Sequence, residues 1–542
     1  MNQGSRHSNI DEFKFALLNF CRANIVIATV WFTLLISPCL AQTDTTALIR
    51  PIAGSRVILG NGEIADYTVQ CFLHLCRKED PNIAVICLDS DPRITQSRLE
   101  EIGAGSVQMI RELESDAQAL TLQMLNLDGV WIEGKTDAVV RNRLLLALLK
   151  NVTLRNGVIA VDSSAVSLLA ELDDQDDSKR LASPFSKFDF QFGDRVSNSK
   201  QPDSDSNRVI CGVPDSSILV VHEGRRIAGY GDQDVRLLVE AANGWPESRG
   251  TFECPDVFSA GSYPFYGSDL FTWIRRANER TQKLFPPQNP ATPVVESGSL
   301  FLHGGSRVEP EIMQQFMQLA GGDDAAIVCI PSAQSFDWSE QPDSYSADVL
   351  AELGHSNFEI LHTDDPLVAN TSEAMATILN NANGVWIDGG RTYRFMDSYQ
   401  GTRVEKLIAG VLQRGGVVGG SSAGCQVPSD FLVRGNPRTN RDIVNEGYTR
   451  GMGLLKGVII DAHFIQRERQ EPFLELIKQY PQMLGIGIDE RTAIIVQNST
   501  AKVVGSHAVS FYDLKSQTTD NFKPEILKAG DRYDLKERKK SD

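Results

Sequence analysis

Histidine is scarce in this chain. There are eight in 542 residues, and only His463 and His507 follow position 422. With no His or Cys set at metal-ligand spacing, a zinc-type centre is excluded; Asp461-x-His463 is the nearest thing to a metal pair, and nothing completes it. Positive charge is also short. Fifty-three basic residues against 70 acidic ones give a net charge of −17, which excludes the electrostatic footprint of a nucleic-acid binder and predicts an acidic soluble protein. After residue 36 no apolar run is long enough to cross a bilayer. Redox-type Cys pairs are missing as well: Cys87 and Cys329 lie in apolar runs and read as core thiols, and Cys425 as a small packing residue. Hydrophobic content, at 42%, is that of an ordinary globular protein, and the length exceeds one core and predicts two domains.

The one targeting feature is at the start. Arg22 leads into the apolar run Ile25–Ile36, and Cys39-Leu40-Ala41 offers small residues before Gln42. Residues 1–41 therefore read as a signal peptide of an exported (periplasmic or extracellular) protein, with anchoring by an uncleaved segment as the alternative. Cleavage at Ala41 leaves seven cysteines, so at least one is unpaired in a monomer.

Chemistry is concentrated in the second half. Gly420-Ser421-Ser422-Ala423-Gly424 follows the apolar run Gly416–Gly419 and matches the G-x-S-x-G turn that lifts a serine out of a sheet. A serine hydroxyl needs a base, and the base needs an orienting group. His463 follows the apolar run Gly457–Ile460, whereas His507 reads as a surface residue. The run Leu484–Ile488 ends in Asp489-Glu490, either of which can orient the base. Serine, histidine and acid thus come at strand exits, as a triad on one sheet edge requires.

Four ordered blocks carry a resemblance. They are the serine elbow, Gly451–Leu455, Ile459–Arg469 and Gly485–Ala493. Over residues 298–512 the chain resembles cyanophycinases and the related aspartyl dipeptidases. The resemblance implies a serine peptidase with a class I glutamine-amidotransferase-like α/β fold. It implies Ser422 as nucleophile, His463 as base and Glu490 as acid. It also implies an oxyanion hole from the amides of Ala423 and of Gly389 or Gly390, and substrate contacts at Arg467, Arg469, Asp461 and Thr392. Cofactors and metals are not implied, and a homodimer is one state the sequence allows. Departures fall on the recognition side: Ala462 stands where the family has Gln, Arg391-Thr392 where it has Asp-Gln, and Pro472 where an Arg is expected. Pro428 should shorten the helix behind Ser422.

The first half repeats the ordered signals of the second. Val57–Gly62 corresponds to Leu300–Gly305, Ala84–Cys87 to Ala326–Cys329, Gly129–Gly134 to Gly384–Gly389 and Gly157–Ile159 to Gly416–Val418. The offset moves from 243 to 242, 255 and 259, as loop insertions would make it. Val161-Asp162-Ser163-Ser164-Ala165 replaces the elbow, no histidine lies between His74 and His222, and Asp215 faces Glu490. The first half reads as a degenerate copy. Short Val/Ile-rich runs alternate with helical patterns such as Leu144–Lys150 and Val404–Gln413, the βαβ signature of a mostly parallel sheet flanked by helices.

The expected organisation is a signal peptide at 1–41, a degenerate domain at 54–240, a linker at 241–297, a catalytic domain at 298–512 and a poorly ordered charged tail at 513–542. The expected partner is a peptide substrate, with neither nucleic acid nor stable membrane insertion after cleavage of the signal. Two other readings fit the same residues: an inactive binding protein on this fold, and an esterase or amidase that uses the same triad.

Overall fold

The structure is a computed structural model. It describes residues 53–88, 91–113, 117–173, 183–193, 208–252, 268–334, 343–515 and 522–541. The signal-peptide expectation for 1–41 lies outside the described residues, and no helix among them is long and apolar enough to cross a membrane.

Among the described residues the first half contributes twelve strands. They are β1 (Ser55–Leu59), β2 (Asn82–Cys87), β3 (Ser106–Ile110), β4 (Gly129–Glu133), β5 (Val158–Val161), β6 (Phe188–Phe192), β7 (Val209–Val213), β8 (Ser217–His222), β9 (Arg226–Gly231), β10 (Val235–Val239), β11 (Ser248–Phe252) and β12 (Ser268–Asp269). The second half contributes β13 (Val295–His303), β14 (Ile327–Ile330), β15 (Phe358–Ile360), β16 (Gly384–Ile387), β17 (Val417–Ser421), β18 (Ser429–Phe431), β19 (Leu455–Ala462), β20 (Leu484–Ile488), β21 (Thr492–Asn498), β22 (Thr500–Gly505), β23 (Ala508–Tyr512), β24 (Glu525–Lys528), β25 (Arg532–Asp534) and β26 (Lys539–Ser541).

The strand orders of the two halves coincide. The first main sheet runs β3-β2-β4-β5-β1-β8-β9-β12 and the second runs β15-β14-β16-β17-β13-β21-β22-β25-β26. In each, five parallel strands are followed by antiparallel ones. Each half adds a smaller mixed sheet, β6-β7-β10-β11 and β18-β19-β20-β23-β24. The inner parallel strands are covered on both faces, so β4, β5, β16 and β17 are buried at every position. Matching aromatics lie under the sheets: Trp131 meets Phe72 edge-on at 5.2 Å, and Trp386 meets Phe316 edge-on at 5.0 Å.

Local sequence explains the crossovers. Helix Arg403–Gln413 starts where the Thr402 hydroxyl accepts from the Glu405 amide and the Glu405 carboxylate accepts from Gly401, a reciprocal cap. Val404, Ile408, Val411 and Leu412 form its buried stripe. Its C-terminus turns at Gly415, whose φ is +89°, and feeds β17.

Two organisational expectations are corrected. Within the expected linker, β11 pairs with β10, β12 pairs with β9, and helix Leu270–Glu279 buries Phe271, Trp273 and Ile274 in the first half's core, so 248–252 and 268–279 are not linker. Between that helix and β13, residues 280–294 carry neither helix nor strand. The charged tail is also structured over its described part. β25 extends the main sheet beside β22, β24 pairs with β23, and Tyr533 lies flat on Phe511 with centroids 3.8 Å apart. Charge alternating with a few apolar residues concealed an edge: Leu527, Tyr533 and Leu535 are the inward positions, and all three are buried.

The tail therefore contributes core. Tyr533→Ala is expected to cost about 3 kcal/mol, a fall in thermal midpoint of about 2–4 °C per kcal/mol. An unchanged midpoint by differential scanning calorimetry would show that the tail is dispensable.

Candidate functional site

β17 delivers Ser422 into a strained turn. Its φ is 56° and ψ −115°, and its amide donates to the His303 carbonyl at 3.0 Å. The flanking glycines are required by space. A Cβ on Gly424 would lie 1.9 Å from the Ile387 carbonyl oxygen, and one on Gly420 would lie 2.5 Å from that of Gly424. The helix that follows, Ala423–Gln426, has four residues and ends before Pro428.

His463 leaves β19 with φ 49°, held by a 2.7 Å bond from its amide to the Gly304 carbonyl. Its Nε2 lies 2.7 Å from Ser422 Oγ and its Nδ1 2.6 Å from Glu490 Oε1. The three expected residues are therefore one hydrogen-bonded line. They do not share a sheet edge, however: β17 belongs to the main sheet, while β19 and β20 belong to the smaller one. The imidazole sits in the notch between them. Asp489 is excluded as the orienting acid, because its two oxygens accept from the amides of Ile465 and Ala508. His507 is exposed, and its Nδ1 contacts the Glu490 carbonyl.

Burial pushes the His463 pKa down, and the Arg467 charge adds to this against the opposing hydrogen bond to Glu490. The value falls to about 4. The imidazole is therefore neutral and able to accept a proton through the neutral pH range.

Opposite the imidazole lies the turn after β16. A Cβ built on Gly389 would come within 3.2 Å of the Ser422 Cβ, which places this peptide against the serine. Among the described residues the amides of Gly389, Gly390 and Ala423 hold no protein hydrogen bond. The turn is anchored from behind by buried Asp388, which accepts from Ser344 Oγ at 2.7 Å, from the Ser346 amide and from Gln334.

Three expected substrate contacts are corrected. Asp461 is fully buried under His463 and accepts from Gln426, from Arg434 through Nε and Nη2, and from Arg469 at 2.6 Å. Arg469 is spent on Asp461 and the Ala462 carbonyl, and Thr392 Oγ1 donates to the Arg434 carbonyl. A carboxylate at a strand exit among polar residues looks like a ligand group. Here two guanidinium groups neutralise it inside the fold. Of the four, Arg467 alone is exposed, and among the described residues it has no ion-pair partner.

Sequence reasoning missed the supporting residues. Buried His303 contacts Ser421 Oγ through Nδ1 at 3.0 Å, with Glu309 3.6 Å from its Nε2. Arg434 and Gln426 were unforeseen because their partner, Asp461, is distant in sequence. Gly305 was visible only as a polar exit from β13. A Cβ there would sit 2.2 Å from His463 Cε1, so the bare Cα is the floor under the ring.

Among its described residues the first half has no such arrangement. Asp162 Oδ1 accepts from the amides of Ser164 and Ala165, so the exit from β5 is an Asx-type turn without positive φ. Its Oδ2 accepts from the Gly134 amide at 3.2 Å, the position that corresponds to Gly389. His222 bonds Ser55 at the start of β1, the opposite end of the sheet from Ser163.

Residues 300–504 match Peptidase family S51, and this segment is similar to cyanophycinases. The chain is 30% identical over 220 residues to the cyanophycinase of Synechococcus elongatus, covering 39% of this chain and 66% of that protein, just under two thirds of its length. It is 28% identical to those of Geminocystis herdmanii, covering 42% of this chain and 88% of the relative, and Trichormus variabilis, covering 46% and 89%. Among solved structures it is similar to a peptidase from an acI-B1 Actinobacterium, at 20% identity and a TM-score of 0.36 over 45% of this chain and 98% of that one. A putative peptidase E protein from Listeria monocytogenes matches at 18% and 0.30, over 39% and 98%. At these scores neither structure carries an argument.

The floor under the imidazole is directly testable. Gly305→Ala should displace the ring and slow modification of Ser422 by a fluorophosphonate by about 10²-fold, and, because φ there is +111°, it should also lower the thermal midpoint. An unchanged labelling rate would show that the ring does not depend on this contact.

Proposed function

We propose that the second half is a serine-type peptidase that works through Ser422, His463 and Glu490. The observation that carries this reading is the hydrogen-bonded line from Ser422 Oγ through the imidazole to Glu490. Ser422 Oγ attacks the peptide carbonyl carbon while His463 Nε2 takes its proton. His463 then returns that proton to the leaving amine, and water repeats the cycle on the acyl-enzyme. Glu490 stabilises the imidazolium and fixes the tautomer. The amides of Ala423 and Gly389, with Gly390 beside them, receive the developing oxyanion at no cost in competing bonds. The backbone of Ser422, with φ 56° and ψ −115°, lies outside the ordinary left-handed helical region, and this strain at the candidate nucleophile supports the peptidase over the inactive-binder reading.

The reading extends to substrate and origin. Arg467, exposed beside His463, would hold an acidic group of a short peptide, and cyanophycin itself would be a poor substrate. The first half derives from a duplication and has lost its triad: Asp162 occupies the amide that corresponds to an oxyanion donor. Export through the N-terminal segment belongs to the same proposal. The family match and the cyanophycinase relatives support the chemistry; an esterase or amidase role differs only in substrate and is separated by a substrate panel.

Three measurements test the proposal. Ser422→Ala should abolish fluorophosphonate labelling and lower kcat by about 10⁴–10⁶-fold, whereas Ser163→Ala should leave both unchanged; turnover surviving in the first variant would refute the mechanism. Arg467→Gln should raise KM for acidic dipeptides about 10-fold and leave neutral ones nearly unaltered. His463 must be neutral to act, so kcat/KM should fall on the acid side with a midpoint near 4 in the wild type. Removing the Arg467 charge should move that midpoint upward, and an identical midpoint in both proteins would show that the Arg467 charge does not act on the titrating base.

A further inference from the structure

The first half grips the second beside the catalytic line. Helix Leu270–Glu279 buries one side in the first half's core and turns Arg275 and Glu279 toward the second half. Arg275 donates from Nε to Asp397 at 3.1 Å and from Nη2 to the Met396 carbonyl at 3.0 Å, and stacks on Tyr448 at 4.6 Å. Arg225, from the turn between β8 and β9, pairs with Asp269 at 2.5 Å and with Asp397 at 2.7 Å, and donates to the Tyr448 hydroxyl at 3.1 Å. That hydroxyl donates to Asp397 at 2.9 Å. Below them Glu279 accepts from the Gly447 amide and the Thr449 hydroxyl. Two arginines face two aspartates, so their charges cancel; Tyr448 is buried, and the Asp397 side chain keeps 9% of its surface exposed.

The two elements held in this way lead to the site. Asp397 lies on helix Thr392–Tyr399, which begins two residues after Gly390. Tyr448 and Thr449 end the segment that starts at Arg434, and Arg434 is the residue that clamps Asp461 beneath His463. The two are tied together on the site side as well, by Thr392 Oγ1 to the Arg434 carbonyl and by Arg391 Nη2 to the Asn436 carbonyl.

We infer that the first half is a positioning element for the reaction of the second, with Arg275 and Arg225 holding, through Asp397 and Tyr448, the helix behind the Gly389–Gly390 turn. This rests on the proposed peptidase chemistry for its kinetic consequence, but the mechanical grip stands on the contacts alone. The oxyanion amides have to be within a few tenths of an ångström of their place before the reaction, because reorganising them during it forfeits their effect. Arg275 brings Nε and Nη2 to the same Asp397 oxygen, and a charge-assisted pair largely shielded from water constrains distance and angle more tightly than an apolar contact does. The duplicate thus kept its core and lost its chemistry without becoming dispensable.

The full chain carries the test. In Arg275→Met, Asp397 keeps Arg225 and the Tyr448 hydroxyl as partners. Rates are normalised to sites titrated with a fluorophosphonate, so loss of folded protein does not register. The expected result is a kcat lower by about 10-fold or more, a KM within threefold of wild type, and partial rescue by Arg275→Lys. Amide hydrogen exchange should rise at least tenfold across residues 389–399 and stay unchanged in β19 and β20. Unchanged kcat and unchanged exchange would overturn the inference, and so would a loss confined to KM. If Arg275→Met does not fold, Tyr448→Phe removes only the hydroxyl and should show the same split at smaller size; its absence there also overturns the inference. A wild-type chain that neither labels nor hydrolyses would defeat the peptidase reading, and the exchange measurement alone would then decide the grip.

Discussion

The site depends on one ring in one notch. The imidazole of His463 fills the gap where the exit of β13 meets the exit of β19, and through it the two sheets of the second half share a hydrogen-bonded line. Its position is fixed on four sides. Gly305 lies under the ring, the Gly304 carbonyl holds the backbone, Ser422 takes one nitrogen and Glu490 the other. The same notch explains the other local features. Gly305 lacks a side chain because the ring is there. His303 is turned sideways onto Ser421, and its carbonyl is left to hold the Ser422 amide in its left-handed conformation. Burial in the notch also lowers the imidazole's proton affinity, which suits a base that works from its neutral form.

Buried charge is used twice, each time to tie together segments distant in sequence. Under the ring, Asp461 gathers Gln426, Arg434 and Arg469. Between the halves, Asp397 gathers Arg225, Arg275 and Tyr448. Such pairs add little net stability over apolar packing, since desolvation consumes most of the Coulomb gain. Removing one partner, however, costs about 3–5 kcal/mol, so they specify an arrangement strongly. The two clusters lie at the two ends of the segment from Arg434 to Thr449, so the chain that supports the site from below is the chain gripped from the side.

The two halves share packing features and differ at their strand exits. Strand order, the tryptophan in the fourth strand and its edge-on phenylalanine are present in both. At the exit of β5 one side chain makes the difference. Asp162 accepts the amides of its own turn and that of Gly134, so the backbone relaxes and the donor is occupied. Packing lives on the inward positions of the strands and reactivity on their exits, which is why one can persist without the other.

The strands, the serine, the histidine and an acid at the next strand exit, Asp489 or Glu490, were legible in the sequence because each is a local signal: an apolar run, a glycine-flanked serine, a polar residue at a strand exit. Glu490 rather than Asp489 came from the resemblance, and the structure gives the physical reason, since neighbouring amides occupy both oxygens of Asp489. Asp461, Arg469 and Thr392 were misread as substrate contacts because nothing local distinguishes a polar side chain aimed at a pocket from one aimed at a buried partner. Arg434 is 27 residues from Asp461 and Arg225 is 172 residues from Asp397, so only the fold could pair them. The tail was misjudged for a related reason. Its few apolar residues are too sparse to show a period, and they become core only when β22 and β23 are there to pair with. The sequence by itself determined which residues can react and which runs become strands, since both are properties of neighbouring residues. Tertiary structure decided that Ser422, His463 and Glu490 join across two sheets, that Arg469 is sealed inside while Arg467 is left outside, and that Arg225 and Arg275 meet Asp397, because these are questions of which surfaces meet.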